Sequence, residues 1–404
     1  MKRFLLGHAT HPQWPRALAL ATAQIEGQWL TRQAEGQTAP LTLGIVYFTD
    51  HYTAHAQALL AALQAQWPGV SWVGSVGVGV AATGVEYFDE PALVLMLGDL
   101  EPSSFEVFSG ARKLHRIDPF SALVHADPAT ADLGELIQEL SHRTSSGYLF
   151  GGLSAARDAS IHLADGVWQG GLSGVAFAPS VSVVSRVTQG CQPMGPSRRI
   201  TACERNVVSQ LDGQPALLAL LSDLGLASLD DRQQAVPLLR ATLVGLTDEH
   251  DTALARGAQF GTDTRVRHLV GVDPAKQLVA VGELLQPGMK LAFCRRDVAA
   301  ARRDLVRICS EIREEVESPS EPAFSGAGAP LHPEPRGLLG AVYISCSGRG
   351  GAHFGGPSAE LKLIQHALGD VPLVGFFAAG EIARHHLYGY TGVLAVFTGH
   401  PAGT

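Results

Sequence analysis

Apolar positions along the chain fall into short, dense runs separated by helix-forming or glycine-rich stretches. Leu41–Phe48 (LTLGIVYF) is β-branched and aromatic, which predicts a buried strand. Ala54–Gln66 (AHAQALLAALQAQ) follows with strong helix formers and stops at Trp67-Pro68-Gly69. Val70–Val73 predicts a second strand that runs into GSVGVGVAATG, and Ala92–Leu97 a third. Strand, helix, strand, glycine-rich turn, strand is a βαβ-β unit. Upstream of it, Pro15–Thr31 is one helical stretch rich in Ala and Leu.

The unit recurs. Ser121–His125, Leu133–His142, Tyr148–Gly152 and Gly174–Phe177 follow the same order, and Val46 is as far from Gly74 as Val124 is from Gly152. Near the C-terminus Leu339–Ile344 echoes Leu43–Phe48. Val374-Gly375 with Gly380 echoes Val73-Gly74 with Gly79, and Gly392–Phe397 supplies a last strand. Duplication and shared βαβ physics both account for this. The expected fold class is α/β, with repeated βαβ-β units forming two mixed sheets flanked by helices in two packed lobes.

Between the second and third units the texture changes. A helix is expected at Pro215–Leu221, with Asp212 near its N-cap and Pro215 near its first position. Strand-like runs lie at Leu238–Leu246, Val266–Val272, Leu278–Val281 and Lys290–Cys294, and Asp297–Glu317 is a charged helix. Ser318–Arg336 holds five prolines and reads as a mobile loop. The expected divisions are an N-terminal extension (1–39), a first domain (40–237) and a second domain (238–400) that carries the loop 318–336.

Composition narrows the function. With 404 residues, 46% hydrophobic and 17% charged, the chain has core material for two or more domains and little for disorder. Its net charge is −8 and only five of its 30 cations are Lys, which argues against a nucleic-acid partner. Five widely spaced cysteines without a Cys-x-x-Cys pattern suit reduced thiols rather than disulfides or zinc. The first residues, MKRFLLGHATHPQWP, lack the apolar core of a signal peptide, and no run reaches the roughly 18 apolar residues of a membrane helix. The expectation is a cytoplasmic protein without membrane insertion.

Two strand-end turns carry the candidate chemistry. Ser345-Cys-Ser-Gly-Arg-Gly-Gly351 follows a strand and precedes a helix starting near Ser358. Backbone amides there form an anion-binding concavity and Arg349 adds a bidentate donor, yet the P-loop and dinucleotide patterns are both missing. The other turn is Gly375-Phe-Phe-Ala-Ala-Gly380-Glu381. Arg349 and Glu381 are the two charges of these turns, at the strand ends where open α/β sheets bind ligands. Arg349 for a carboxylate and Glu381 for an ammonium describe an amino acid or similar zwitterion; a structural Arg349–Glu381 ion pair is the alternative. The candidate ligand set is Cys346, Ser347, Gly348, Arg349, Gly350, Gly380 and Glu381. Cys346 with His353 or His385 would instead make a cysteine-dependent amide or ester hydrolase. His51 and His55, four apart, lack a metal-site motif, and neither a metal nor a cofactor is expected.

Several strings resemble the FIST sensory proteins, in which a FIST-N domain precedes a FIST-C domain. The first half offers Gly151-Gly-Leu153, Asp165-Gly-Val167 with Gly170-Gly171, and Asn206-Val-Val-Ser-Gln-Leu-Asp-Gly-Gln-Pro-Ala216. The second offers Arg267-His-Leu-Val-Gly-Val-Asp273, Phe293-Cys-Arg-Arg-Asp297, Cys346-Ser-Gly-Arg-Gly350, Gly375-Phe-Phe-Ala-Ala-Gly-Glu381 and Gly389-Tyr-Thr391. The resemblance spans about residues 40 to 400. It implies a non-catalytic intracellular sensor of a small ligand, amino acids among the proposals, signalling through a separate partner protein. Ser75-Val-Gly-Val-Gly-Val80 stands where relatives carry a polar, Glu-containing turn, so a matching site is not expected in the first unit. A protein-interaction scaffold is the third reading.

Overall fold

The structure is a computed structural model that describes residues 3–37, 39–249, 264–317 and 337–399; the proline-rich 318–336 segment lies outside the described residues. The chain opens with strand β1 (Leu5–Thr10) and helix α1 (Trp14–Ala34). The first repeat is β2 (Leu43–Thr49), α2 (Ala56–Gln66), β3 (Ser71–Gly77), the hairpin β4 (Gly79–Ala82) and β5 (Val85–Phe88), then β6 (Ala92–Gly98). After β7 (Phe105–Phe108) comes the second: β8 (Ser121–Ala126), α3 (Leu133–Arg143), β9 (Tyr148–Leu153), β10 (His162–Ala164), β11 (Val167–Trp168) and β12 (Leu172–Phe177).

Strand β13 (Ser182–Thr188) leads into an inserted stretch. This holds β14 (Cys191–Pro193), β15 (Arg198–Glu204), β16 (Val207–Leu211), β17 (Gln214–Pro215), α4 (Ala216–Leu224) and α5 (Arg232–Ala241). It continues with β18 (Leu243–Thr247), β19 (Arg265–Asp273), β20 (Leu278–Val281), β21 (Lys290–Arg296) and the start of α6 (Val298–Glu317). The third repeat is β22 (Gly337–Cys346), α7 (Ala359–Leu368), β23 (Leu373–Ala378), β24 (Glu381–Ala383), β25 (His386–Tyr388) and β26 (Gly392–Gly399). The α/β class holds, but the sheets number four among the described residues, not two.

Three six-stranded sheets share one plan. Their orders are β1-β6-β2-β3-β10-β11, β7-β12-β8-β9-β24-β25 and β13-β26-β22-β23-β4-β5. In each, the first two strands of a repeat pair in parallel and its last strand lies antiparallel to the first. A strand from outside the repeat covers one edge. The hairpin of a different repeat completes the other, in a cycle: the first repeat's hairpin joins the third sheet, the second's joins the first, the third's joins the second.

One glycine per repeat sets the spacing within this plan. Gly74, Gly151 and Gly375 lie opposite Val46, Val124 and Tyr343 on the parallel neighbour. A Cβ at any of them would sit 1.8 Å from that partner's carbonyl oxygen. No side chain fits there, so the glycine is a packing requirement. The second-repeat counterpart is thus Gly151, one position before the Gly152 expected from even spacing of the units.

The chain forms two compact units. One joins residues 1–188, 305–387 and 391–404, and contains all three repeats; the other is 189–304 with 388–390. This partition runs through the chain at different points from the expected boundary at residue 237. The segment expected as an N-terminal extension, 1–39, is part of the first unit's framework: β1 pairs with β6 from Leu5↔Leu97 to Thr10↔Ala92, and α1 buries Ala17, Leu18, Ala21 and Ile25.

In the second unit β18 pairs with both β19 and β21, so β15, β16, β20, β19, β18 and β21 close into an antiparallel ring. Closure leaves those strands no open edge. Val208, Val244, Leu246, Val279, Leu291 and Phe293 fill the interior together with Leu217 and Leu220 of α4. Two local expectations change. Leu238–Ala241 ends α5, which Asp231 caps by accepting from the Gln233 and Gln234 amides at 3.1 and 3.2 Å, and the strand starts only at Leu243. Asp212 instead occupies a tight turn at φ 49° and accepts from the Arg199 amide, while Pro215 caps α4.

Candidate functional site

The two glycine-rich turns singled out in the sequence meet in the third repeat. β22 ends at Cys346 and one 3₁₀ turn (Ser347–Arg349) carries the chain outward; β23 ends at Ala378 and Glu381 opens β24. Both charged side chains are buried, Arg349 at 2% and Glu381 at 0% exposure.

Arg349 does not pair with Glu381 by hydrogen bonds. Its Nε and Nη2 donate to Glu360 Oε1 at 2.9 and 2.6 Å, and Glu360 lies in the first turn of α7. The Tyr343 hydroxyl donates to the same oxygen at 2.6 Å, Ser345 Oγ donates to Glu360 Oε2 at 3.0 Å, and the guanidinium lies 5.0 Å from the Phe354 ring centre. Burial alone would lower the Arg349 pKa; the adjoining Glu360 and Tyr343 reverse this and hold the guanidinium charged. Burial and the Glu360 charge push the Tyr343 phenol well above its ordinary value.

Glu381 has a different environment. Its Oε2 accepts from the Thr391 amide at 3.1 Å and from Thr391 Oγ1 at 2.7 Å, and its carboxyl is hydrogen-bonded to the Cys346 thiol. Burial pushes the carboxyl up to about 8, outweighing the Thr391 bonds, the Arg349 charge and the Cys346 bond. Two atoms are left over. Arg349 Nη1 and Glu381 Oε1 are buried with no hydrogen-bond partner among the described residues.

The remaining candidates line this pair unevenly. Cys346 and Ser347 are half-buried, Gly348 is exposed and Gly350 packs against Phe88 and Phe377. The Gly380 carbonyl accepts from the Leu153 amide at 2.8 Å. The anion-binding amides have an internal client: Glu86 of β5 accepts from Gly351 and, at 2.9 Å, from Ser358, and the Glu86 amide donates to Ser358 Oγ at 3.0 Å. Burial, then the Glu360 charge, raises the Glu86 carboxyl pKa. Sequence reasoning missed Glu360, Tyr343, Ser345, Thr391 and Glu86. An acidic residue in a helix's first turn was the one available signal, and it pointed to the macrodipole rather than to a buried arginine.

Of the histidines considered with Cys346, His353 packs edge-on to Phe354 with ring centres 5.4 Å apart, and the His385 and His386 rings lie 3.9 Å apart, tilted by 46°. His51 lies 3.5 Å from Asp50 and His55 stacks with Trp14 at 6.1 Å. Among the described residues no group of three His, Cys, Asp or Glu is placed to hold a metal.

The repeat plan also exposes a second polar cluster. Glu381 faces Gly152 across the β24–β9 pairing, and the matching position in the second repeat is His162, which faces Ser75. His162 Nδ1 lies 2.5 Å from Ser173 Oγ and its Nε2 3.2 Å from the Gly170 carbonyl. Ser173 pairs with His125, whose Nε2 is 3.0 Å from the Tyr47 hydroxyl. Burial lowers the His125 pKa to about 3, with a smaller push from His162, so the ring is neutral; its Nδ1 has no partner among the described residues.

Comparison with known proteins fits this architecture. The FIST N domain profile matches residues 42–214 and the FIST C domain profile residues 216–384. An uncharacterized protein of Mycobacterium tuberculosis (strain H37Rv) is 31% identical over 414 residues, covering 98% of this chain and 99% of its own length. An uncharacterized protein of Mycobacterium bovis is 30% identical over 393 residues, covering 93% and 95%.

Proposed function

Because the chain belongs to the FIST family, with an N domain followed by a C domain, we propose that it is a non-catalytic cytoplasmic sensor that binds a small zwitterion in the third repeat and signals through a separate protein. FIST domains are generally considered sensory domains for small ligands. No helix among the described residues is long and apolar enough to cross a membrane.

One observation carries the choice of ligand: Arg349 Nη1 and Glu381 Oε1, a cationic donor and a carboxyl oxygen of one site, are both buried without a partner among the described residues. Buried polar groups are ordinarily hydrogen-bonded, so a ligand with one acceptor and one donor complements the pair. An amino acid or similar molecule offers its carboxylate to Nη1 and its ammonium to Oε1. The contact to Arg349 is single, since Glu360 takes its other nitrogens. Ammonium binding also drives Glu381 to ionise, so a proton leaves as the ligand enters.

The test is a thermal-shift screen of amine-bearing carboxylates, in which a ligand at 100 times its Kd stabilises the protein by about 2.7 kcal/mol. Calorimetric titration then compares wild type with Glu381→Gln and Arg349→Lys. Glu381→Gln weakens amine-bearing ligands and spares simple carboxylates, while Arg349→Lys weakens both. Unchanged affinity in both folded variants overturns the assignment.

A further inference from the structure

We propose that the first unit carries a second small-molecule site, a cavity at the start of β8 and β9 that takes a neutral single-ring phenol. It shares no residue with the Arg349–Glu381 site and does not rest on the zwitterion reading. The cavity measures about 230 Å³ and is lined by residues at the start of those two strands, by the edge strand β13 and by Glu315 of α6, all within the first unit. Phe120, Tyr148 and Phe150 supply aromatic walls, and Val183 and Val184 an aliphatic one. Phe150 is itself stacked on Phe177, with ring centres 6.3 Å apart.

Hydrogen bonds hold the walls in place. The Phe120 amide donates to the Phe177 carbonyl at 2.7 Å and the Ser145 amide to the Pro119 carbonyl at 2.8 Å. The Tyr148 amide donates to Ser146 Oγ at 3.1 Å, and that hydroxyl donates in turn to the Phe120 carbonyl. The segments that enter β8 and β9 are thus fixed before a ligand arrives, which lowers the cost of binding. Phe120 still leaves 42% of its surface exposed, apolar area that an occupant covers. One polar group lacks a partner. Ser121 is 5% exposed, and its Oγ has no hydrogen-bond partner among the described residues. Buried hydroxyls are ordinarily bonded, and a serine hydroxyl re-aims by turning about one bond, χ1.

Size and charge narrow the ligand. An apolar cavity of about 150 Å³ holds one benzene ring. The roughly 80 Å³ beyond that takes two or three more heavy atoms at about 30 Å³ each, the share of one water in the liquid. The charged residues among those lining the cavity are Arg186 and Glu315, and they bind each other. Arg186 Nη2 donates to Glu315 Oε2 at 2.5 Å, and its Nε donates to Glu311 Oε2 at 3.2 Å. An ionic ligand would lose hydration here without gaining a partner of opposite charge. A neutral ring with one hydroxyl meets every condition: its faces pack on the aromatic walls, its hydroxyl bonds to Ser121 Oγ, and the ion pair stays undisturbed.

The experiment titrates the full-length protein, by ligand-observed NMR, with para-ethylphenol, with ethylbenzene, which lacks the hydroxyl, and with para-hydroxybenzoate, which adds a charge. The phenol should bind with a Kd of about 0.1 mM. Ethylbenzene should bind about fivefold more weakly and the benzoate about tenfold more weakly. Ser121→Ala should bring the phenol to the level of ethylbenzene and leave ethylbenzene unchanged. Val183→Phe, which fills the cavity, should weaken the phenol by about tenfold or more. Arg349→Lys, which weakens the zwitterion, should leave phenol binding as it is, so either reading can fail without the other. Matching thermal melts confirm that the variants are folded, and if Val183→Phe is not, Ser121→Ala decides. Absent phenol binding, equal binding of the benzoate, an unchanged phenol Kd in Ser121→Ala or in folded Val183→Phe, or loss of phenol binding in Arg349→Lys overturns the inference.

Discussion

Replacing Glu381 by Gln should change stability little at pH 5 and raise it well above wild type at pH 8. In the folded protein the carboxyl titrates at about 8, against 4.5 for an ordinary glutamate. The acid is therefore favoured by folding. Its contribution is intact below pH 4.5 and is lost as the pH rises toward 8, because the unfolded chain ionises freely and the folded chain resists. Each pH unit in that window costs about 1.4 kcal/mol. The accumulated penalty is about 1 kcal/mol at pH 5 and about 4 kcal/mol at pH 8. Glutamine matches the acid in shape and does not ionise, so it escapes the penalty. Urea unfolding of both proteins at pH 5, 7 and 8, followed by tryptophan fluorescence, should show the variant's advantage growing by about 3 kcal/mol from pH 5 to 8. A constant difference would mean that Glu381 is already ionised at pH 5, with Arg349 and Thr391 outweighing burial.

His125 has the opposite sign: with a folded pKa of about 3, it withdraws stability as the pH falls below 6.5. In a Glu381→Gln background, the unfolding free energy from urea titration should therefore decline from pH 6.5 to pH 4, by about 3 kcal/mol from this ring alone. Glu360→Ala should destabilise by about 3–5 kcal/mol by stranding buried Arg349, and combining it with Arg349→Met should recover most of that loss in the same assay. Gly375→Ala, which drives a Cβ against the Tyr343 carbonyl, should prevent soluble expression, whereas Gly134→Ala on α3, with open space around it, should gain up to about 1 kcal/mol. Calorimetric affinity for the zwitterion should rise about fiftyfold from pH 6 to 8, most steeply at the lower end, as the proton on Glu381 becomes easier to release; a flat profile would refute the proton exchange.

The repeats were legible because their strands are dense apolar runs with helices between them, and those signals are local. The hairpins were not. Gly79–Ala82 and Val85–Phe88 read as a glycine-rich turn because their pairing partner, Leu373–Ala378, lies near the other end of the chain in another repeat. β1 escaped notice for a related reason: Leu5–Thr10 is short, and it is a strand because β6 lies beside it. At the site, scarcity of charge singled out Arg349 and Glu381, and both side chains are buried. Their partners were not legible there: Arg349 bonds to Glu360 on the following helix, and Glu381 to Thr391 in a turn without charge. Burial decides both cases, and burial is a property of the assembled sheets.

The cyclic exchange of hairpins also imposes an order in time. β5 ends at Phe88, whereas β23, which receives β4 in the finished sheet, begins only at Leu373. At a synthesis rate of roughly 5–20 residues per second, the first hairpin waits on the order of 15–60 s for its partner to leave the ribosome. Thr83 waits equally long to accept from the Leu373 amide and to donate to the Val371 carbonyl. During that interval an apolar sheet edge stands open, so the nascent chain depends on protection that the finished protein does not need.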